Sequence, residues 1–223
     1  MALTAYNDDP AAVLRLAQEE TLTSPRLHYS LLSRALFASL DLFYGRRRSL
    51  SKFRVLEVVA RVPYQAWERV GYIALTHTHP WPQRARRVFR RVEESRHQQD
   101  NEQWHLLIIE EQIRRSKVRE SILWYRVVPQ VLAMLVYQVS VVLFVVKPAW
   151  SYRLNAEFED HAEHEYMQFV AECPELEDMA FVSQFAPDYG YFASMADFFR
   201  QVGLDERHHK LESLAALTSP RLG

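Results

Sequence analysis

Four glutamates and two histidines recur along the chain in a fixed order, and that order limits the fold more than any other feature. Glu102 and His105 stand three apart in Asn101-Glu102-Gln103-Trp104-His105. Glu206 and His209 repeat the spacing in Asp205-Glu206-Arg207-His208-His209. Residues at i and i+3 share a helix face, so each pair can aim a carboxylate and an imidazole at one point. A single glutamate precedes each pair: Glu57 inside the apolar run Phe53–Ala60, and Glu159 inside Phe158–Tyr166. Glu57 to Glu102 and Glu159 to Glu206 are separations of 45 and 47 residues. At ~1.5 Å rise per residue, two antiparallel legs of about 20–25 residues with a turn between them bring such residues to one height. The pattern predicts an all-α chain in which four long helices carry acidic groups on their inward faces.

The rest of the sequence agrees with this helical reading. Five glycines in 223 residues are too few for an all-β fold with many tight turns. Helices are expected at about Pro25–Gly45, Phe53–Thr76 with a kink at Pro63, Arg84–Lys117, Pro148–Glu172 and Tyr191–Leu214, with a further segment over Glu120–Val146. His79-Pro80-Trp81-Pro82 breaks the chain, and Pro174, Pro187 and Gly190 mark a loop. We expect one domain over residues 1–223, with its core at about 50–214 and flexible tails at 1–24 and 215–223. The lone Cys173 excludes an internal disulfide and a cysteine-rich metal site. A net charge of −1 gives no reason to expect a nucleic-acid partner. The charge is uneven, however. Arg84, Arg86, Arg87, Arg90 and Arg91 crowd one stretch and Arg46, Arg47 and Arg48 another, as solvated faces do and as anionic lipid headgroups would suit. No secretory signal is visible after Met1. Asp8, Asp9, Glu19 and Glu20 argue against a transit peptide, so the chain is expected to stay in the compartment where it is made.

Residues 127–146 are 20 consecutive uncharged residues, long enough to span a bilayer. Were that segment to cross alone, Glu57 and Glu102 would be separated from Glu159 and Glu206 by ~30 Å of hydrocarbon. A metal site shared by the four is incompatible with a single span. The segment is therefore expected as a crossover, packed in the bundle, at a dimer interface or against lipid.

Glu, Glu-x-x-His, Glu, Glu-x-x-His over four helices is the ligand set of ferritin-like di-iron and di-manganese bundles. Carboxylate and imidazole donors suit iron. The alternative is that each glutamate pairs with an arginine and each histidine is a core residue. That explanation serves any single pair, but four buried carboxylates without cations would be too costly. Glu94 and His97 are a decoy with the same spacing, set among Arg96, Gln98, Gln99 and Asp100; Glu102 and His105 instead lead into Leu106-Leu107-Ile108-Ile109.

Together, Leu56-Glu57, Asn101-Glu102-x-x-His105, Glu159 seven residues before Tyr166, and Asp205-Glu206-x-x-His209 resemble the alternative oxidases over about residues 50–210. Ala60-Arg61-Val62-Pro63-Tyr64 and His105–Glu111 look closest to the plastid terminal oxidase branch and its cyanobacterial relatives, which oxidise plastoquinol. The resemblance implies a ferritin-like four-helix bundle with additional N-terminal and crossover helices, holding two iron ions. It implies a dimeric, monotopic protein on one leaflet of a thylakoid or cytoplasmic membrane. The implied reaction is oxidation of two quinols per O2 to give water, without proton pumping. Glu57, Glu102, Glu159 and Glu206 carry over as iron ligands, with Glu102 and Glu206 bridging. His105 and His209 carry over as ligands or as close neighbours of the metals. Tyr166 matches the redox-active tyrosine, and Asn101 and Asp205 match residues that orient the site.

Two departures fall on the expected quinol pocket. Lys52 stands where the family has arginine five residues before the first ligand, and Glu165 stands where a threonine precedes the redox tyrosine. Lys52 and Leu56 remain the expected quinol-guiding residues. The stretch between Glu172 and Tyr191 is short for the plastid branch, and no N-terminal regulatory cysteine is present. Two other functions fit the bundle: a soluble di-iron hydroxylase or ferroxidase, and a metal-free membrane scaffold.

Overall fold

A computed structural model describes residues 9–78 and 80–218, and among them every regular element is helical. The chain gathers into two compact units. One takes in Ser49–Ala156 and the chain from Glu212; the other takes in the chain up to Arg48 and Glu157–Leu211.

In the first unit, α3 (Leu50–Ala60) opens on Ser49, whose hydroxyl accepts the Lys52 N–H. The expected kinked helix is two helices, because α4 (Val62–Thr78) begins afresh after Arg61. Pro63 is the reason: it has no N–H, and its ring excludes the carbonyl four residues back. α5 (Pro82–Arg115) opens with proline at its first position and ends before Lys117, whose φ of 53° breaks the helix. α3 and α4 both pack along α5 and along α6 (Val128–Val146). Gly71 of α4 lets that helix approach Val92 of α5 closely. Tyr64, Trp67, Phe144, Tyr152 and Ala216 form an aromatic core, with the Trp67 indole donating to Ser151 Oγ at 2.8 Å.

Ahead of α6 the chain makes a π-turn, Leu123–Val127. Pro129 denies the Tyr125 carbonyl its regular helical partner. The buried Arg54 of α3 takes that carbonyl instead, at 2.6 Å. Leu123–Val146 is, among the described residues, the one helix long and apolar enough to cross a membrane by length and composition. Only 22% of its most apolar window is buried. Val131, Met134, Leu135, Val142, Val145 and Val146 are all more than half exposed.

In the second unit, residues 10–23 correct the expected flexible tail. They form α1 (Pro10–Thr23), capped by Asp9 and held by Gln18, which donates to the Met167 carbonyl at 2.9 Å. The remaining expected tail residues, 1–8 and 219–223, lie outside the described residues, as does His79 of the expected break. In the expected C-terminal tail, Ala215 and Ala216 complete the last helix, and Ala216 is buried. α2 (Leu31–Tyr44) starts at Ser30 rather than at Ser24-Pro25. Ser24 closes α1 by donating to the Glu20 carbonyl, and the backbone N–H groups of Leu27 and Ser30 donate to Asp160 and Glu157. Gly45, with φ of +82°, ends α2. α7 (Pro148–Glu172) follows, then a short 3-10 turn at Pro174–Glu177, α8 (Ala186–Tyr189) and α9 (Met195–Ala216). Phe198 of α9 packs on Phe181, Tyr189 and Phe192, which gives the loop before α9 a core of its own.

Candidate metal centre

Each unit builds one half of the expected ligand set. In the first, Glu57 comes from α3, and Glu102 and His105 come from one face of α5; all three are fully buried. His105 Nδ1 lies 3.5 Å from Glu57 Oε2 and 3.7 Å from Glu102 Oε2. In the second, Glu159 comes from α7, and Glu206 and His209 come from α9, again buried. Within each triad the ligand-capable atoms lie within 4.8 Å of one another. Two donors on opposite sides of a transition ion bonded at ~2.0–2.2 Å stand just over 4 Å apart. Two carboxylates and an imidazole in a buried cluster of that size fit a divalent transition ion, iron among them. Burial, and next the charge of Glu102, push the Glu57 carboxyl up to about 8, against the pull of His105. A bound cation would oppose both effects.

The decoy stays outside. Glu94 is 55% exposed and pairs with Arg91, and His97 is exposed. A third cluster of metal-ligating types, Asp160, Glu163 and His164, already holds protein cations. Lys210 donates to Asp160 and Glu163, and Arg207 donates to Glu163 at 2.9 Å. The ion-pair explanation therefore accounts for this cluster.

Tyr166, fully buried two turns beyond Glu159 on α7, stacks on Phe199 with ring centroids 6.1 Å apart. Asp205 accepts from the Tyr189 hydroxyl at 2.7 Å and from Gln201 at 2.8 Å, which ties α9 to α8 beside Glu206. Asn101 is half-buried on α5 next to Glu102. Lys52 and Leu56 are both buried on α3, at 6% and 2% exposure. Glu165, the departure beside Tyr166, bonds Arg26 at 3.1 Å and Arg48 at 2.9 Å. Burial alone would raise its carboxyl; His161, Arg48 and Arg26 together hold it below the usual range.

Sequence reasoning missed Arg54. It stands one turn before Glu57 and bonds Glu110 at 2.9 Å, Glu120 at 2.7 Å and the Tyr125 carbonyl. These bonds fix α3 against α5 and the π-turn, and so set where Glu57 points. An arginine one turn before Glu57 in a run whose other residues are apolar was the available signal.

The family model described as alternative oxidase matches residues 21–215 of this chain. Ubiquinol oxidase 4, chloroplastic/chromoplastic, of Arabidopsis thaliana is 34% identical over 142 residues, 63% of this chain. The matched stretch spans only 37% of that relative's length. The likeness to the plastid branch expected from Ala60–Tyr64 and His105–Glu111 agrees with this relative.

Proposed function

We propose that this chain, which belongs to the alternative oxidase family, is a membrane-bound quinol oxidase that reduces O2 to water. The observation that carries the reading is the pair of buried triads, Glu57, Glu102, His105 and Glu159, Glu206, His209, each with its donors within 4.8 Å. Glu57, Glu102, Glu159 and Glu206 would hold iron, with His105 and His209 as ligands or close neighbours. The iron pair, when bound, would supply O2 binding and reduction.

The residues do the rest. Full burial of the glutamates keeps bulk water from the reacting oxygen. Arg54 and Asp205 fix α3 and α9, the helices that carry Glu57 and Glu206. Tyr166, stacked on Phe199, would give up one electron with its phenolic proton and regain both from a quinol. Two quinols give four electrons and four protons per O2, which balances the formation of two waters; the absence of proton pumping is carried over from the family resemblance. Plastoquinol is the favoured donor, on the likeness of Ala60–Tyr64 and His105–Glu111 to the plastid branch. Lys52 and Leu56 guide its head group, and their burial means that the quinol reaches them only as α3's surroundings part. The exposed apolar faces of α2, with Leu31, Leu32, Leu42 and Phe43, and of α6 seat a monotopic homodimer on one leaflet of a thylakoid or cytoplasmic membrane.

Glu206→Ala tests this reading. Purified iron-loaded protein should consume O2 with a plastoquinol analogue faster than with a ubiquinol analogue, and the variant should consume none. Normal turnover in the variant would overturn the site. Uptake by the native protein without any quinol would favour a ferroxidase or hydroxylase.

A further inference from the structure

The first ten residues of α5 carry Arg84, Arg86, Arg87, Arg90 and Arg91, and no acidic residue lies in the first turn. This charge placement works against the helix. The N-terminal end of a helix carries positive partial charge, so cations there are destabilising. Arg84 and Arg87, Arg87 and Arg90, Arg86 and Arg90, and Arg87 and Arg91 are also like-charge pairs at i+3 or i+4. Arg91 alone has a carboxylate partner among the described residues, Glu94 at 3.5 Å. Arg84, Arg86, Arg87 and Arg90 are exposed. Arg86, Arg87 and Arg90 fall within about 100° of helical arc, opposite the buried Val88 and Val92. Exposed aromatic groups flank them, Trp81 at 58% and Phe89 at 42%, with Tyr72 and Ile73 exposed on α4. A strongly basic face rimmed by indole and phenyl rings matches the headgroup layer of an anionic bilayer in both charge and polarity.

We infer that the start of α5, with Trp81, is a second membrane contact that selects anionic lipid headgroups, distinct from the apolar faces of α2 and α6. This contact rests on the membrane association proposed above and adds a lipid class to it. The arginines gain at the bilayer surface the counter-charge that the first turns of α5 lack, and Trp81 and Phe89 enter the interface beside them. Bilayer binding then has an electrostatic component, set by Arg84, Arg86, Arg87 and Arg90, and an apolar component that is indifferent to headgroup charge.

Flotation of the iron-loaded full chain on vesicles of phosphatidylcholine, with and without phosphatidylglycerol, separates the two components. Phosphatidylglycerol should raise binding of the unaltered protein at least about ten-fold. That gain should vanish in 1 M salt, where screening acts within about 3 Å. Replacing Arg84, Arg86, Arg87 and Arg90 together by Glu should abolish the gain and leave binding to phosphatidylcholine alone unchanged; replacement by Lys should keep the gain. Helicity and iron content, unchanged from the native protein, confirm folding, and the salt series on unaltered protein tests the idea whether or not the Glu variant folds. No gain from phosphatidylglycerol, the same gain in the Glu variant, or transfer of the loss to Arg46→Glu with Arg47→Glu would overturn the inference. So would tighter binding to duplex DNA than to anionic vesicles, which would name a nucleic acid instead. Failure of the native protein to bind phosphatidylcholine counts against the monotopic reading, which is a separate result.

Discussion

Replacing Gly71 by alanine tests whether α4 and α5 are packed at the limit of approach. A Cβ at residue 71 would stand 2.4 Å from Val92 Cγ2. Carbon atoms rest ~3.5–4.0 Å apart, so the overlap exceeds about 1 Å. Val92 is 1% exposed and cannot move aside, because a helical valine has one strongly preferred χ1. The helices must part instead, at about 1–3 kcal/mol for overpacking. Against this, alanine is better than glycine in a helix by about 1 kcal/mol. The net expectation is a loss of about 1 kcal/mol. In a Val92→Ala background the clash is gone and only the helical gain remains, so Gly71→Ala should stabilise by about 1 kcal/mol. The coupling between the two positions is then about 2 kcal/mol. Urea unfolding of the four proteins, followed by helical ellipticity, measures it. Equal effects of Gly71→Ala in both backgrounds would refute the packing argument. Because Glu102 and His105 lie further along α5 from Val92, iron content should fall in Gly71→Ala and recover in the double variant.

Two further outcomes follow from the buried carboxylates. Burial alone would raise the Asp160 carboxyl, but the Leu27 N–H, the Tyr29 hydroxyl and Lys210 hold it below the usual range. A depressed carboxyl contributes stability that is complete above its unfolded value of about 3.9 and is lost as pH falls through the lower folded value. The protection factor of the Leu27 amide, taken against its intrinsic exchange at each pH, should therefore fall below about pH 4, and should already be low at neutral pH in Asp160→Ala; full protection in that variant would refute the assignment. Iron should raise the melting temperature of the native protein and a chelator should lower it, since a ligand bound only by the folded state stabilises it. Glu102→Gln should lose most of that response, and a native melting temperature indifferent to iron would tell against the metal centre.

The helices and the two Glu-x-x-His pairs were legible because each rests on local periodicity. Glu102 with His105, and Glu206 with His209, need only i,i+3 geometry to be recognised. What the sequence hid depends on partners distant along the chain. α1 reads as a polar tail until Gln18 meets the Met167 carbonyl and Thr21 meets Glu163. The start of α2 shifts from Ser24 to Ser30 because Asp160 and Glu157, over a hundred residues away, take the N–H groups of Leu27 and Ser30. The break at Arg61 was legible as a kink, since proline chemistry is local, but its severity was not.

The carboxylates of α7 divide by what faces them, and α9 makes that division. Glu206 and His209 form one i,i+3 pair, and Arg207 and Lys210 repeat the spacing one residue on, so adjacent stripes of α9 carry metal donors and cations. Arg207 bonds Glu163 and Lys210 bonds Asp160; three residues forward on α9 match three residues back on α7, as antiparallel helices require. Thr21 completes the Glu163 site at 2.6 Å. A slip of α9 by one turn, ~5.4 Å, would break the present pairing and leave one buried acid without its cation. The ionic stripe thus fixes the register of α9 on α7, and with it the height at which Glu206 and His209 meet Glu159. The carboxylates that bind protein cations are in this way what places the glutamates that could hold a metal.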